Sequence, residues 1–424
     1  MRSALRAVPV VLAFVSLSAA LWPRGGVTVP LYAARTGLLC QNCHFDPNGG
    51  GPRNEFGFAF ARNRHALEPE DSTSEWHDLA VVNRIGDAMP VYLGLNQRFM
   101  LLASTSQQAD SLDEFGFYNM ESALHIAFQP HHRLLMVYTR DGFDAGSSTK
   151  EAYGLISGFP LDGYLRAGRF RSPFGLRWDD HTVATRNSYL DLFATRVSFF
   201  NPPGEVRLNF LPYDPRQPDM GIEAGGDRGP WFGRAAFTNG GSYPLGPTPN
   251  RAQAIALKLG INLPQIQTAA SLYDDYHLGL DAFSFSEVSS RLTRWGYYAL
   301  SHAGPMAFLG EIAAGTDRYG SRDINSLAYI LEADYRVTRG VNVRARFDRM
   351  ELYRDPSLAA PSSTVTLSGL NTHNRFSLEG EFDPVPFAQL RWALRYIDHA
   401  ADQFPNGDPI DDERQAFLQF HFSY

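Results

Sequence analysis

The chain has 424 residues, a formal net charge of −7 and two cysteines. The acidic balance leaves no basic footprint for nucleic acid, and two cysteines make no disulfide framework. Past the N-terminal segment no stretch approaches the roughly 20 apolar residues of a membrane-spanning helix.

Met1 to Ala20 is a predicted secretory signal. Arg2 and Arg6 supply the positive start, Val8 to Leu17 the short apolar core, and Ser18-Ala19-Ala20 the small residues for cleavage. Export would carry the chain out of the cytoplasm.

The next feature is Cys40-Gln41-Asn42-Cys43-His44, which spells C-x-x-C-H. Two thiols at this spacing add across the two vinyl groups of one porphyrin, and the following imidazole falls beneath the iron. The expected cofactor is one covalent haem c, with His44 as the proximal iron ligand. Rival readings are a redox dithiol, a structural disulfide or half of a zinc site. A zinc site lacks its second cysteine pair, and a redox pair belongs at a helix start in a βαβ setting. His65 is the distal ligand candidate, on a stretch (55–67) that reads as a short helix; Met89 and His77 are the alternatives. Phe45, Phe56, Phe58, Phe60 and Trp76 are the aromatics expected to line a haem pocket. Residues 21–90 are too few for an ample core of their own, so they are expected to form a partly helical plug that leans on a larger body.

From about residue 91 the pattern becomes two-residue alternation, the period of a strand with two unlike faces. Val341, Val343, Ala345 and Phe347 alternate with Asn342, Arg344, Arg346 and Asp348. Leu390, Trp392, Leu394 and Tyr396 alternate with Arg391 and Arg395, and Leu418, Phe420, Phe422 and Tyr424 with Phe417, Gln419, His421 and Ser423. Polar faces carrying Arg, Asp and Glu, opposite apolar faces rich in Tyr, Trp and Phe, predict lipid outside and an aqueous lumen inside. Aromatics make up 13% of the chain, as girdles at two interfaces require. The predicted fold is an all-β, transmembrane antiparallel β-barrel of about 16 strands over 91–424, counted from about sixteen or seventeen segments that include 195–201. Short connections such as Leu263-Pro264-Gln265 are expected to face the periplasm. Long ones at 171–194, 202–218, 352–372 and 399–411 are expected to face outward, bringing acidic groups such as Asp179, Asp180, Asp214, Asp219, Asp408, Asp411, Asp412 and Glu413 with them.

Two stretches carry resemblances. Gly168-Arg169-Phe170-Arg171-Ser172-Pro173-Phe174-Gly175 resembles a segment of phosphate-selective-type porins in which a strand ends and a loop folds inward. Pro30 to His44, followed by Asn54-Glu55-Phe56-Gly57-Phe58-Ala59-Phe60, resembles the start of the fused monohaem cytochrome c–porin family, which includes outer-membrane iron(II) oxidases. After Phe60 the chain reads Ala61-Arg62-Asn63-Arg64-His65, where members often have a Lys and a Gly-Tyr pair, which fits a sister group. The resemblance implies electron transfer through the outer membrane, from an extracellular donor such as Fe(II) to a periplasmic c-type cytochrome. Competing readings are an anion or small-solute porin with a haem-bearing gate, and a barrel partner of a multihaem cytochrome. No hydrolase triad, phosphate loop or HExxH motif is present.

Overall fold

A computed structural model describes residues 30–67, 83–105, 115–142, 148–177, 196–200, 203–207, 218–240, 252–280, 287–319, 322–353, 365–368, 372–398 and 412–424. The expected signal, Trp76, His77 and the acidic groups at Asp179, Asp180, Asp214, Asp408 and Asp411 lie outside these residues.

Sixteen strands form the wall. The first eight are β1 Val91–Ser104, β2 Phe115–His131, β3 Leu134–Asp141, β4 Ser148–Phe159, β5 Gly163–Phe170, β6 Asp219–Arg228, β7 Trp231–Thr238 and β8 Ala252–Leu263. The second eight are β9 Ile266–Leu280, β10 Glu287–Ala303, β11 Met306–Tyr319, β12 Arg322–Thr338, β13 Val341–Tyr353, β14 Thr372–Val385, β15 Ala388–Asp398 and β16 Glu413–Ser423. Each pairs antiparallel with its neighbours in chain order, and β16 closes on β1 in the register Asn96↔Ser423 to Ser104↔Gln415. Closure leaves no unpaired edge, which is what a strand structure in hydrocarbon requires. The two-residue strand Arg84–Ile85 adds to β1 at the rim.

The segment 195–201 is not a wall strand, contrary to its alternation. Strand β5 pairs directly with β6 from Phe170↔Asp219 to Tyr164↔Gly225. Arg196–Phe200 instead pairs with Pro203–Arg207 and with Val365–Ser368, so the long β5–β6 and β13–β14 connections form a small sheet of their own. Alternation reports two unlike faces and does not say which sheet they belong to. Asp219 and Glu413 also belong to strands rather than loops, and Glu413 is buried at the lumenal end of a bond from the Ser104 hydroxyl.

The face assignments hold residue by residue. Asn342, Arg344, Arg346, Asp348, Arg391, Arg395, Gln419 and Ser423 are buried in the lumen. Trp392, Leu394, Tyr396, Leu418, Phe420 and Phe422 are exposed on the outside. Exposed Phe159, Trp231, Tyr335, Phe382 and Phe422 ring the end with the short turns, while Phe117, Phe237, Tyr276 and Tyr396 ring the other. These are the two interfacial girdles of a membrane barrel. Helix-by-helix the chain offers no alternative: among the described residues no helix is long and apolar enough to cross a membrane.

Tight connections at 132–133, 160–162, 229–230, 264–265, 304–305, 339–340 and 386–387 all lie at one end, the periplasmic one by the convention of such barrels. A Leu394→Arg substitution, which places a charge on the lipid face, is expected to cost about 2–4 kcal/mol near the midplane. Equilibrium refolding into lipid vesicles measures it, and an unchanged midpoint would contradict the outward assignment.

Candidate functional site

Residues 30–67 fold inside the barrel at the short-turn end. Helix α1 (Pro30–Thr36) opens on proline, whose missing N–H costs nothing at a first helical position. A 3-10 turn at Cys40–Asn42 follows, in which the Leu39 N–H donates to Asn42 Oδ1 at 2.8 Å. Helix α2 (Glu55–Arg62) is capped by Asn54, whose side-chain oxygen accepts from the Gly57 N–H at 2.9 Å.

The loop between them folds back on the motif. His44 and Arg53 form an antiparallel bridge, and the Asn54 N–H donates to the Cys43 carbonyl at 3.0 Å. Gly49, Gly50 and Gly51 take φ of 90°, 72° and 65°, which suits glycine alone. A Cβ at Gly49 would meet Cys40 Sγ at 3.2 Å, and one at Gly57 would lie 2.0 Å from the Cys43 carbonyl oxygen. The glycines thus let backbone pack directly on both cysteines.

Buried ion pairs fasten this plug to the wall. Arg35 grips Asp334 through both Nε, at 2.6 Å, and Nη2, with Glu381 at 3.7 Å. Burial opposes that charge, but the two carboxylates outweigh it and hold the Arg35 guanidinium above its usual range. Asp46 accepts from Arg166 at 2.7 Å and from Arg177 at 2.8 Å; Arg166 also reaches Glu223 and Arg177 also reaches Glu151. Gln41 donates to Asp227 at 2.7 Å, and Arg339 donates to Asn63 at 3.0 Å.

Arg177 arrives on the inward-folded segment 171–177. Phe174 is buried there, close enough to the wall that a Cβ at Gly296 would sit 2.9 Å from its ring. The Gly175 N–H donates to Ser271, the Leu176 N–H to Glu311, and Lys258 donates to the Gly175 carbonyl. The stretch expected to turn inward past Pro173 does so.

A cavity of about 1610 Å³, open mouth included, lies beside the motif. Cys40, Cys43 and His44 line it from the plug, as do Phe60 and His65. Neither cysteine is in a disulfide, and burial pushes the Cys40 thiol up. His65 donor–acceptor geometry is specific: Nδ1 lies 3.1 Å from Asp383, and the ring stacks on Tyr32 at 4.3 Å and 17°. It does not sit on the expected helix. Helix α2 stops at Arg62, and Arg64 and His65 take left-handed φ of 51° and 56°, with the His65 N–H bonded to the Phe60 carbonyl. That turn carries the imidazole back into the cavity.

Of the other candidates, Met89 is exposed and does not line the cavity. Among the described residues of the expected aromatic set, Phe60 alone faces it. Phe45 packs on Tyr92, Phe58 packs on Phe387 and Tyr424, and Phe56 points outward. Sequence reasoning missed Asp46, Asp383 and His421. The last faces the cavity from β16, and its Nε2 is buried with no hydrogen-bond partner among the described residues. The alternation of β16 places His421 on the lumenal face, so that signal was available.

The residues fit a covalent porphyrin: two cysteines outside any disulfide and an imidazole share one cavity, glycines crowd no side chain into it, and a carboxylate holds His65 Nδ1, which leaves Nε2 for an iron. Among the described residues no group of three or more His, Cys, Asp or Glu is arranged to hold a bare metal ion.

No family model and no curated protein matches the chain. Solved structures do. The chain is similar to OmpT, an outer membrane protein of Vibrio cholerae (trimer form), with TM-score 0.55 and 9% identity over 80% of this chain and 100% of that one. It is also similar to an anion-selective porin from Comamonas acidovorans, with TM-score 0.55 and 11% identity over 79% and 100%. The outer membrane channel DcaP of Acinetobacter baumannii gives 0.54 and 10% over 80% and 98%. At these identities the likeness shows a porin-like barrel fold.

An Asp46→Asn substitution leaves Arg166 and Arg177 short of a buried carboxylate. The expected cost is about 3–5 kcal/mol, read as a lowered unfolding midpoint and as faster proteolysis of the plug in intact barrels. Unchanged protease resistance would show that these pairs do not hold it.

Proposed function

We propose that the protein is an outer-membrane electron-transfer protein carrying one haem c on Cys40 and Cys43. His44 is the proximal ligand and His65 the distal one. The observation that carries the reading is that both thiols, His44 and His65 line one cavity inside a membrane barrel. A haem bound there supplies a reversible one-electron couple.

The chain's own residues prepare the place. Asp383 holds His65 Nδ1, which directs Nε2 away from that carboxylate. Tyr32 and Phe60 pack around the imidazole and limit water on that side. Burial, followed by the nearby Asp383 and Glu381 charges, pushes the Tyr32 phenol well above its usual range, so Tyr32 stays neutral. No proton acceptor is needed, because electron transfer at a ring edge breaks no bond.

Position suggests the partners. The site lies near the short-turn rim, within reach of a periplasmic c-type cytochrome. A donor from the opposite side has to come down a lumen crowded by the plug and by residues 171–177, which favours a small species such as aqueous Fe(II) over a protein. The porin reading draws on the same inward segment and on the porin-like fold. A plug bolted into the lumen argues for low conductance.

Purified outer-membrane protein is expected to keep haem through denaturing electrophoresis, to lose it in Cys40→Ala and Cys43→Ala, and to be reduced by anaerobic iron(II). His65→Ala is expected to convert a low-spin bis-histidine spectrum to a high-spin one. Absence of covalent haem overturns the reading. Haem that iron(II) leaves oxidised removes only that donor, and large steady currents in planar bilayers favour the porin.

A further inference from the structure

Arginines crowd the cavity, and their partners distinguish them. Arg98 lies 3.2 Å from Glu121, Arg177 2.8 Å from Glu151 and Arg344 2.7 Å from Glu381. Arg346 lies 2.6 Å from Glu332 and Arg391 2.5 Å from Glu379. In each case a carboxylate cancels the charge locally, so little of it is felt a few ångströms away.

Arg53 lines the same cavity and differs. Its Nη1 donates to the Ser423 carbonyl at 2.8 Å and its Nη2 to the Ser423 hydroxyl at 3.1 Å. Both acceptors are neutral, and among the described residues no carboxylate pairs with it. Burial accordingly holds its guanidinium below the usual arginine range. Its backbone is bridged to His44, and residues paired in this way have Cα atoms roughly 4.5–5.5 Å apart. An uncancelled positive charge is therefore tethered beside the proximal histidine.

We infer that Arg53 sets the redox potential of the haem site, raising it by disfavouring the ferric state. The inference rests on the covalent-haem reading. Oxidation adds one positive charge at the iron, and a fixed cation nearby opposes that addition by Coulomb repulsion. Within a plugged lumen the repulsion is weakly screened by salt. Arg53 is a positioning and tuning residue in this role, since it touches no reacting atom.

The test is spectroelectrochemical titration of the purified holoprotein. Arg53→Gln keeps a donor for Ser423 and removes the charge; its midpoint potential is expected to fall, at low and at high salt alike. Arg53→Lys retains the charge and is expected to stay close to wild type. Arg84→Gln, which alters an exposed pair with Glu55 outside the cavity, is expected to leave the potential unchanged. If Arg53→Gln does not accumulate, Arg53→Met carries the same expectation. A fall no larger than that of Arg84→Gln overturns the inference, and so does an equal fall in Arg53→Lys, which would assign the effect to shape. Wild-type protein without covalent haem fails the underlying reading; haem present with an unshifted Arg53→Gln potential fails this inference alone.

Discussion

The structure depends on charge compensation in a place where water is scarce. A barrel whose strands point Arg, Asp and Glu inward must either fill its lumen with water or pair those groups with one another. Here they pair, and the plug is one of the partners. Asp46 sits between Arg166 and Arg177, and Arg35 sits against Asp334 and Glu381. Further along the wall Glu379 alone accepts from Arg344, Arg346, Arg391 and Arg395. Such pairs add little net stability over a well-packed apolar core, but losing one member leaves an expensive orphan. Their contribution is position: the plug has one seat in which Arg35 and Asp46 both meet their partners in the lumen.

That seat fixes the position of the Cys40–His44 motif. The motif is held by backbone on one side, through the loop that returns from His44 to Arg53, and by side chains from distant strands on the other. Loop 171–177 links the two systems, because Arg177 reaches both Asp46 of the plug and Glu151 of the wall. A change in the seating of the plug is therefore a change in the constriction as well.

The wall was legible in the sequence because its physics is local. A strand between lipid and lumen alternates, and β13, β15 and β16 show it without interruption. The same locality misled at 195–201, where a hairpin of loop strands has unlike faces and no place in the wall. The C-x-x-C-H motif is visible in the sequence for the same reason, since it is a pattern of spacing within five residues. What surrounds it is not. Asp46 is separated from Arg166 by 120 residues and Asp383 from His65 by 318, and nothing in either neighbourhood announces the other. The turn that swings His65 inward also escaped, because an apolar helical period over 55–62 gave no sign that Arg64 and His65 would adopt left-handed backbone.

The first and last strands meet at Leu95 and Tyr424, which exchange two backbone hydrogen bonds. Arg53 grips Ser423 at that junction, while Asn83, on the approach to β1, donates to the Arg53 carbonyl. The barrel thus zips shut against a segment that lies upstream of its first strand. The loop that returns from the Cys40–His44 turn and the final closure of the cylinder share a clasp: a chain that reaches its last strand with the upstream segment unseated lacks part of the surface on which that strand docks.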